Sequence, residues 1–175
     1  MLKNRLLIAI SGKSRVGKDT AADFLCEKIS FKKRLSFAAA IYDITEFSQK
    51  RLLKPVEKDP KALQKLGECF KEIYGRDVWK NVVKDEINSC DGNIIVTDLR
   101  FKTDFQMLKS MGFFIIRINR KDRIIDRDPN HISEIDLDDC NEFDIIIDND
   151  ISLDNLKRSI DYIVQTKLNF IKDNN

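Results

Sequence analysis

LLIAISGKSRVGKDT, Leu6 to Thr20, sets an apolar run against a glycine-bounded loop and then the opening of an amphipathic pattern. The run reads as a buried strand. The spacing from Gly12 to Lys18, G-x-x-x-x-G-K, is that of a P-loop, in which glycines let the backbone curl so that successive N–H groups face phosphate oxygens. The positive end of the following helix adds to that field. Lys18 supplies a mobile cation for the transferred phosphate. A strand, this loop and a helix in sequence open an α/β unit.

Asp19 stands where such loops usually carry Ser or Thr, whose hydroxyl ligates Mg²⁺. Two readings stand. A carboxylate holds the ion directly or through water, since magnesium prefers hard oxygen ligands and retains several waters. Alternatively, Asp19 only complements the helix N-terminus while Thr20 makes the phosphate contact.

Around this loop the chain has 175 residues, enough for one domain with an insertion and a full core. Charged residues are 34%, hydrophobic ones 42%, and the net charge is only +2, a soluble globular balance with no polyanion footprint. A nucleic-acid polymer is therefore not the expected partner. Cys26, Cys69, Cys90 and Cys140 are scattered and form no cluster with His131, which argues against structural zinc. Cys26 and Cys69 fall in helical patterns and read as small apolar residues, and free thiols suit the reducing cytoplasm. No apolar stretch has the length of a signal peptide core or a membrane span.

Hydrophobic periodicity predicts helices over Lys18–Ile29, about Ala38–Phe47, Lys61 to Gly75, Val78–Ile87, a segment closing at Gly112, and Leu153–Ile171. Strands are expected at Arg5–Ser11, Arg34–Phe37, Asn93–Asp98, Phe113–Asn119 and Phe143–Asp148. Strands alternating with helices predict a parallel sheet covered on both faces, with ligands gathered at the carboxyl ends of the strands. A polar stretch, Arg120 to Glu142, interrupts the alternation and reads as a mobile flap. Phe37, Tyr42, Phe70, Tyr74 and Trp79 read mostly as core, with one or two free to stack on a base.

Asp98 ends an apolar strand, where a second acid orients magnesium or a reacting oxygen beside a P-loop, and Arg100 follows at the same cleft. A structural ion pair is the plainer alternative. Arg120, Arg123 and Arg127 would share a face if helical; beside a phosphate site they suit a lid that neutralises charge and excludes water. Taken alone, the same segment is a solvated loop with internal ion pairs.

GKSRVGKDT, TDLRFKTD at Thr97–Asp104, Gly112 with IIRINR at Ile115–Arg120, and H-x-S-E at His131–Glu134 together resemble the deoxynucleoside monophosphate kinases of viruses and phages. Asp98, Arg100 and Phe101 align with that family's D-V-R-F-x-N-E, with Asp104 in place of the glutamate, and Leu63–Trp79 is similar to its helical insert. FAAAIYD, Phe37–Asp43, departs from its F-A-D-P-L-K, with Ala39 and Ala40 in place of the acid and proline.

The resemblance implies a single P-loop kinase domain with a substrate-binding insert at about residues 38–90 and a lid at about 120–142. It implies transfer of the γ-phosphoryl of ATP, with Mg²⁺, to a nucleoside monophosphate. ATP contacts fall to Gly12, Arg15, Val16, Gly17, Lys18, Asp19, Thr20 and Arg123, and substrate contacts to Ser14, Phe37, Ala38, Lys71, Trp79, Arg100, Arg127 and Glu134. Lys18, Asp19, Asp98, Arg100 and Arg120 carry the chemistry, and Asp19 and Asp98 the metal. Small nucleotides are the expected partners, without a membrane, and a homodimer is left open.

Animal-type phosphomevalonate kinases share the GKD loop, the S/T-D-x-R segment and an acidic SE stretch, and are the alternative within the kinases. A GTPase-like switch is more remote. NRKD at Asn119–Asp122 puts Arg120 where a guanine reader has lysine, and LRF follows Asp98 where a switch has D-x-x-G.

Overall fold

The computed structural model describes residues 5–124 and 128–168. It divides into two compact units, Met1–Leu35 with Cys90–Asn175, and Ser36–Ser89.

The first unit is built on five parallel strands: β1 (Leu7–Ser11), β2 (Lys33–Leu35), β3 (Ile94–Leu99), β4 (Phe114–Asn119) and β5 (Ile145–Asp148), in the order β2-β3-β1-β4-β5. Every residue of β1 is buried, as a central strand covered on both faces requires. Leu6, Ile8 and Ile10 turn toward a cluster with Ile95, Ile116 and Ile118, closed by Ala21, Ala22 and Leu25 of α1 (Lys18–Lys28) and by Leu156, Ile160 and Ile163 of α7 (Leu153–Ile163). Each such isoleucine contributes about 1.5–3 kcal/mol of burial. Small alanines at Ala21 and Ala22 let α1 approach the sheet closely, which fixes the loop at its amino end.

α5 (Lys102–Ser110) buries Phe105 and Leu108, and Gly112, at φ 82, takes the left-handed turn that leads into β4. A short helix α6 (Ile132–Ile135) interrupts the polar stretch after β4. α7 starts at Ser152, whose side chain accepts from Asn155 N–H, and gives way to a π-helical turn at Val164–Leu168. The expected extension to Ile171 passes beyond the described residues.

The second unit holds α2 (Ala39–Arg51), α3 (Pro60–Tyr74) and α4 (Val78–Asn88). Asp59 caps α3, accepting from Lys61 N–H and Ala62 N–H, with Pro60 in the first turn, and Gly75 at φ 97 ends it. The aromatic residues expected in the core are not buried: Tyr42 is exposed, Tyr74 is 66% exposed, and Phe70 and Trp79 are half-buried. They pack on one another instead, Phe70 stacked on Tyr74 and edge-on to Trp79, both at 5.6 Å between ring centres. A small three-helix unit lacks the interior volume to enclose them.

Two further expectations need correction. Cys26 and Cys69 lie on helices as expected but are exposed, since they fall off the apolar stripes of α1 and α3. Residues 121–124, described after Arg120, are not helical, so Arg120 and Arg123 do not share a helix face, and Lys121 pairs with Asp150 beyond β5.

Candidate active site

The site belongs to the sheet unit, at the carboxyl ends of β1, β3 and β4. β1 delivers the chain to Gly12 at φ 148, where a Cβ would lie 2.5 Å from the Ile118 carbonyl oxygen. Only glycine fits against β4 there. At the far end Gly17, φ 101, caps α1, and a Cβ would stand 2.8 Å from Asn149 Nδ2. That amide donates to the Val16 carbonyl at 2.9 Å, while Asn149 N–H donates to Asn119 O at 2.8 Å. Asn149 thus ties the loop to the end of the sheet. Between the glycines Arg15 takes φ 61, a left-handed backbone uncommon for a side-chain-bearing residue, and is exposed.

Lys18 is only 8% exposed and donates through Nζ to the Lys13 carbonyl at 2.7 Å, so it folds back over its own loop. Burial lowers its pKa to about 7, and the charge of Arg100 adds to that fall; Asp19, Glu134 and Asp98 pull the other way. Lys18 therefore faces both cations and anions at the mouth of the loop.

Parallel pairing of β1 with β3 sets Leu99 opposite Ser11, so Asp98 and Arg100 flank the start of the loop. Arg100 is held by Glu134: Nη1 donates to Oε1 at 2.6 Å, with the Glu134 side chain wholly buried. The other oxygen, Oε2, accepts the Ser14 N–H at 2.9 Å and lies 3.4 Å from Arg123 Nη1. Arg123 also donates to the Ser14 carbonyl at 3.2 Å. Lys18, Arg100, Arg123, Glu134 and Ser14 therefore share one neighbourhood.

A second network lies beneath. Arg117 of β4 is buried and donates to Ser11 Oγ at 3.1 Å and to Asp138 Oδ1 at 3.4 Å. Asp138 Oδ2 accepts from Lys13 Nζ at 2.6 Å. Burial lowers the pKa of the Arg117 guanidinium, and Asp138 is the leading charge opposing that fall. Neither Arg117, Asp138 nor Asn149 stood among the residues singled out from sequence; the signal for Arg117 was a cation within an apolar strand and for Asn149 a polar residue just beyond β5, while Asp138 carries no local signal.

The other candidates are placed differently. Asp19 projects into solvent, its side chain 85% exposed and 3.3 Å from Arg34 Nη2, an exposed pair of small energetic weight. Thr20 is half-buried, and Arg120 is exposed at the end of β4. Arg127 lies outside the described residues. Phe37, Ala38, Lys71 and Trp79 belong to the helical unit. There Lys71 Nζ donates to Glu68 at 2.8 Å, and Trp79 Nε1 to the Gly67 carbonyl at 3.2 Å. Trp79 therefore has its polar edge engaged and only ring faces to offer.

Among the described residues no three His, Cys, Asp or Glu side chains converge as a metal cage. Asp19 and Asp98 are hard-oxygen donors near the loop, which fits Mg²⁺, an ion that takes one or two carboxylates and completes its shell with phosphate oxygens and water. No helix among the described residues is long and apolar enough to cross a membrane.

Uncharacterized protein ORF76 of Ictalurid herpesvirus 1 (strain Auburn) is 28% identical over 144 residues, covering 79% of this chain and 58% of the relative. Its neighbour ORF77 is 30% identical over 149 residues, covering 80% and 64%. The chain thus spans less than two thirds of the length of either. TT1252 from Thermus thermophilus shares the fold at a TM-score of 0.56 and 15% identity, over 94% of this chain and 99% of that one. The model of the deoxynucleotide monophosphate kinase family matches residues 61–160. With more than half its length so matched, the chain belongs to the deoxynucleotide monophosphate kinase family.

Proposed function

We propose that the chain transfers the γ-phosphoryl group of ATP to the 5′-phosphate of a deoxynucleoside monophosphate, giving the diphosphate and ADP. The observation that carries this reading is Arg100. It is a half-buried guanidinium fixed beside the P-loop by a carboxylate that also accepts a loop amide. Such a cation next to a donor-phosphate nest is what an acceptor carrying its own phosphate needs, because two anions must be brought together before they can react.

In this reading the loop amides from Gly12 to Thr20 receive the ATP phosphates, and Lys18 leaves the Lys13 carbonyl for a phosphate oxygen. Arg100 takes the acceptor phosphate, while Arg123 covers the transferring group from its place on the Ser14 carbonyl. An acceptor phosphate oxygen attacks the γ-phosphorus as the bond to the β-phosphate oxygen breaks, so ADP leaves with the electron pair. No general base is needed, since the attacking oxygen is already anionic at neutral pH. Asp19 and Asp98 would hold Mg²⁺, which supplies charge neutralisation to the phosphates when bound. Arg120 and Arg127 are assigned to the lid.

A coupled assay tests the reading. ATP is offered with each deoxynucleoside monophosphate, each ribonucleoside monophosphate and phosphomevalonate in turn. ADP should form with at least one deoxynucleotide and not with ATP alone. Turnover confined to phosphomevalonate, or tight GTP binding without ATP binding, would replace the proposal.

A further inference from the structure

We propose that Glu134 is an inner anion and positioning residue of this site: its carboxylate holds Arg100 and Arg123 in register with the P-loop and occupies the Ser14 amide until a phosphate takes that place. The inference deepens the kinase reading and rests on it for the role of Arg100.

Arg100, Ser14 and Arg123 share this one carboxylate. Oε1 accepts from Arg100 at 2.6 Å, and Oε2 accepts from Ser14 N–H at 2.9 Å while standing 3.4 Å from Arg123. The side chain has no exposed surface, while Arg100 and Arg123 keep 18% and 11% of theirs. A carboxylate so enclosed is stable only because its partners are charged or strong donors. Its placement is enforced from a second point: Asp138, four residues on, grips Lys13 at 2.6 Å. Two acids thus dock the segment onto consecutive residues of the loop. At the segment's start the His131 side chain accepts from Ser133 N–H, fixing the turn that aims Glu134 inward.

The same geometry sets two opposed effects. Its negative charge, within hydrogen-bond distance of a loop amide, opposes any phosphate entering there. Its two oxygens also orient the arginines that phosphoryl transfer needs. Neutralising the carboxylate while keeping its shape should therefore tighten anion binding and slow the reaction together. A side chain that served only folding would weaken both.

The test uses the whole chain with inorganic tripolyphosphate as the binding probe and the monophosphate assay as the rate probe. E134Q should bind tripolyphosphate at least about fivefold more tightly, as expected for removing one nearby like charge. Its kcat should fall about tenfold to a hundredfold, the scale of losing orientation at a reacting group. E134D keeps the charge but is one methylene shorter, so its tripolyphosphate affinity should stay within about twofold of the wild type while kcat remains low. Unchanged or weakened binding in E134Q overturns the inner anion, and a wild-type kcat in either variant overturns the positioning role. Should E134Q fail to fold, E134D alone decides, full kcat overturning the proposal. Tighter binding in E134Q with no monophosphate turned over by the wild type refutes the kinase reading and leaves the inner anion standing. A wild type that binds no tripolyphosphate overturns both.

Discussion

Lys18 offers the sharpest test, because its surroundings set a number. Buried to 8% exposure and beside Arg100, its ammonium is lowered from the usual 10.5 to about 7. A gap of that size corresponds to roughly 5 kcal/mol of disfavoured charge at about 1.4 kcal/mol per unit. In the ligand-free protein at pH 8, only about one Lys18 in ten should carry its proton, against about one in two at pH 7. A nucleotide phosphate placed against Nζ restores the charged form, so binding must take up a proton. The uptake should approach one proton per site at pH 8, fall to about half at pH 7 and nearly vanish at pH 6. Affinity for ATP should then weaken by up to about tenfold per unit as pH rises above 7. Calorimetry of Mg-ATP binding in two buffers of unlike protonation enthalpy, repeated across this range, reads the proton count directly. Lys18→Arg, charged throughout, should bind with no such slope. An uptake below about 0.2 proton at pH 8, or a slope that survives in Lys18→Arg, refutes the argument.

The same residue has a stability signature. Between about pH 7 and 10.5 the unfolded chain holds a proton on Lys18 that the folded chain has released, so the stability of the ligand-free protein should rise with pH across that window. Lys18→Met should flatten the rise in thermal denaturation curves. Gly17→Ala forces a side chain into a left-handed backbone and onto Asn149, breaking its hydrogen bond to Val16. A loss of about 2–4 kcal/mol is expected, near 5–10 °C in melting temperature, and a shift under 2 °C would contradict the packing described. Arg117→Met and Asp138→Asn, singly and together in a double-mutant cycle on chemical denaturation, should show coupling of about 1 kcal/mol, since the two share one network with Lys13 and Ser11. Full additivity would show that the network is incidental.

The parts of this site that sequence revealed are those written in consecutive residues. Gly12, Gly17 and Lys18 lie within one turn of chain, and the apolar strand before them and alanine-bearing helix after them are periodic over short windows. Asp98 and Arg100 were legible for a related reason, since a strand end is a local feature and parallel topology carries strand ends to one edge. Glu134, Asp138 and Asn149 meet the loop across 120 to 133 residues of chain. Glu134 is legible only through the H-x-S-E resemblance, and nothing local separates Asp138 from the acids around it: a solvated loop and a docked one have the same composition. Arg120 and Arg123 illustrate the limit. Three residues apart in one basic run, the first is exposed while the second rests on the Ser14 carbonyl. The aromatic residues of α3 and α4 misled in the opposite sense, because helical spacing predicts that a face is shared and says nothing of how much protein exists to cover it.

A P-loop sequence by itself does not hold a P-loop conformation. Positive φ at Gly12, Arg15 and Gly17 is locally costly or entropically disfavoured, and buried loop amides and carbonyls require partners. In this chain the restraint arrives from outside the motif. Ile118 of β4 bars any side chain at Gly12, Asn149 beyond β5 engages Val16, and the segment around α6 engages residues 13 and 14 with two carboxylates. The backbone of the loop is therefore braced by the last third of the chain, while in the proposed reading the Ser14 amide and Lys18 still exchange Glu134 and the Lys13 carbonyl for phosphate oxygens. That bracing matters energetically, since a backbone already curled leaves only these two donors to reorganise when a phosphate binds. The carboxylate of Glu134 is what allows several cations to be gathered there in advance without driving one another apart.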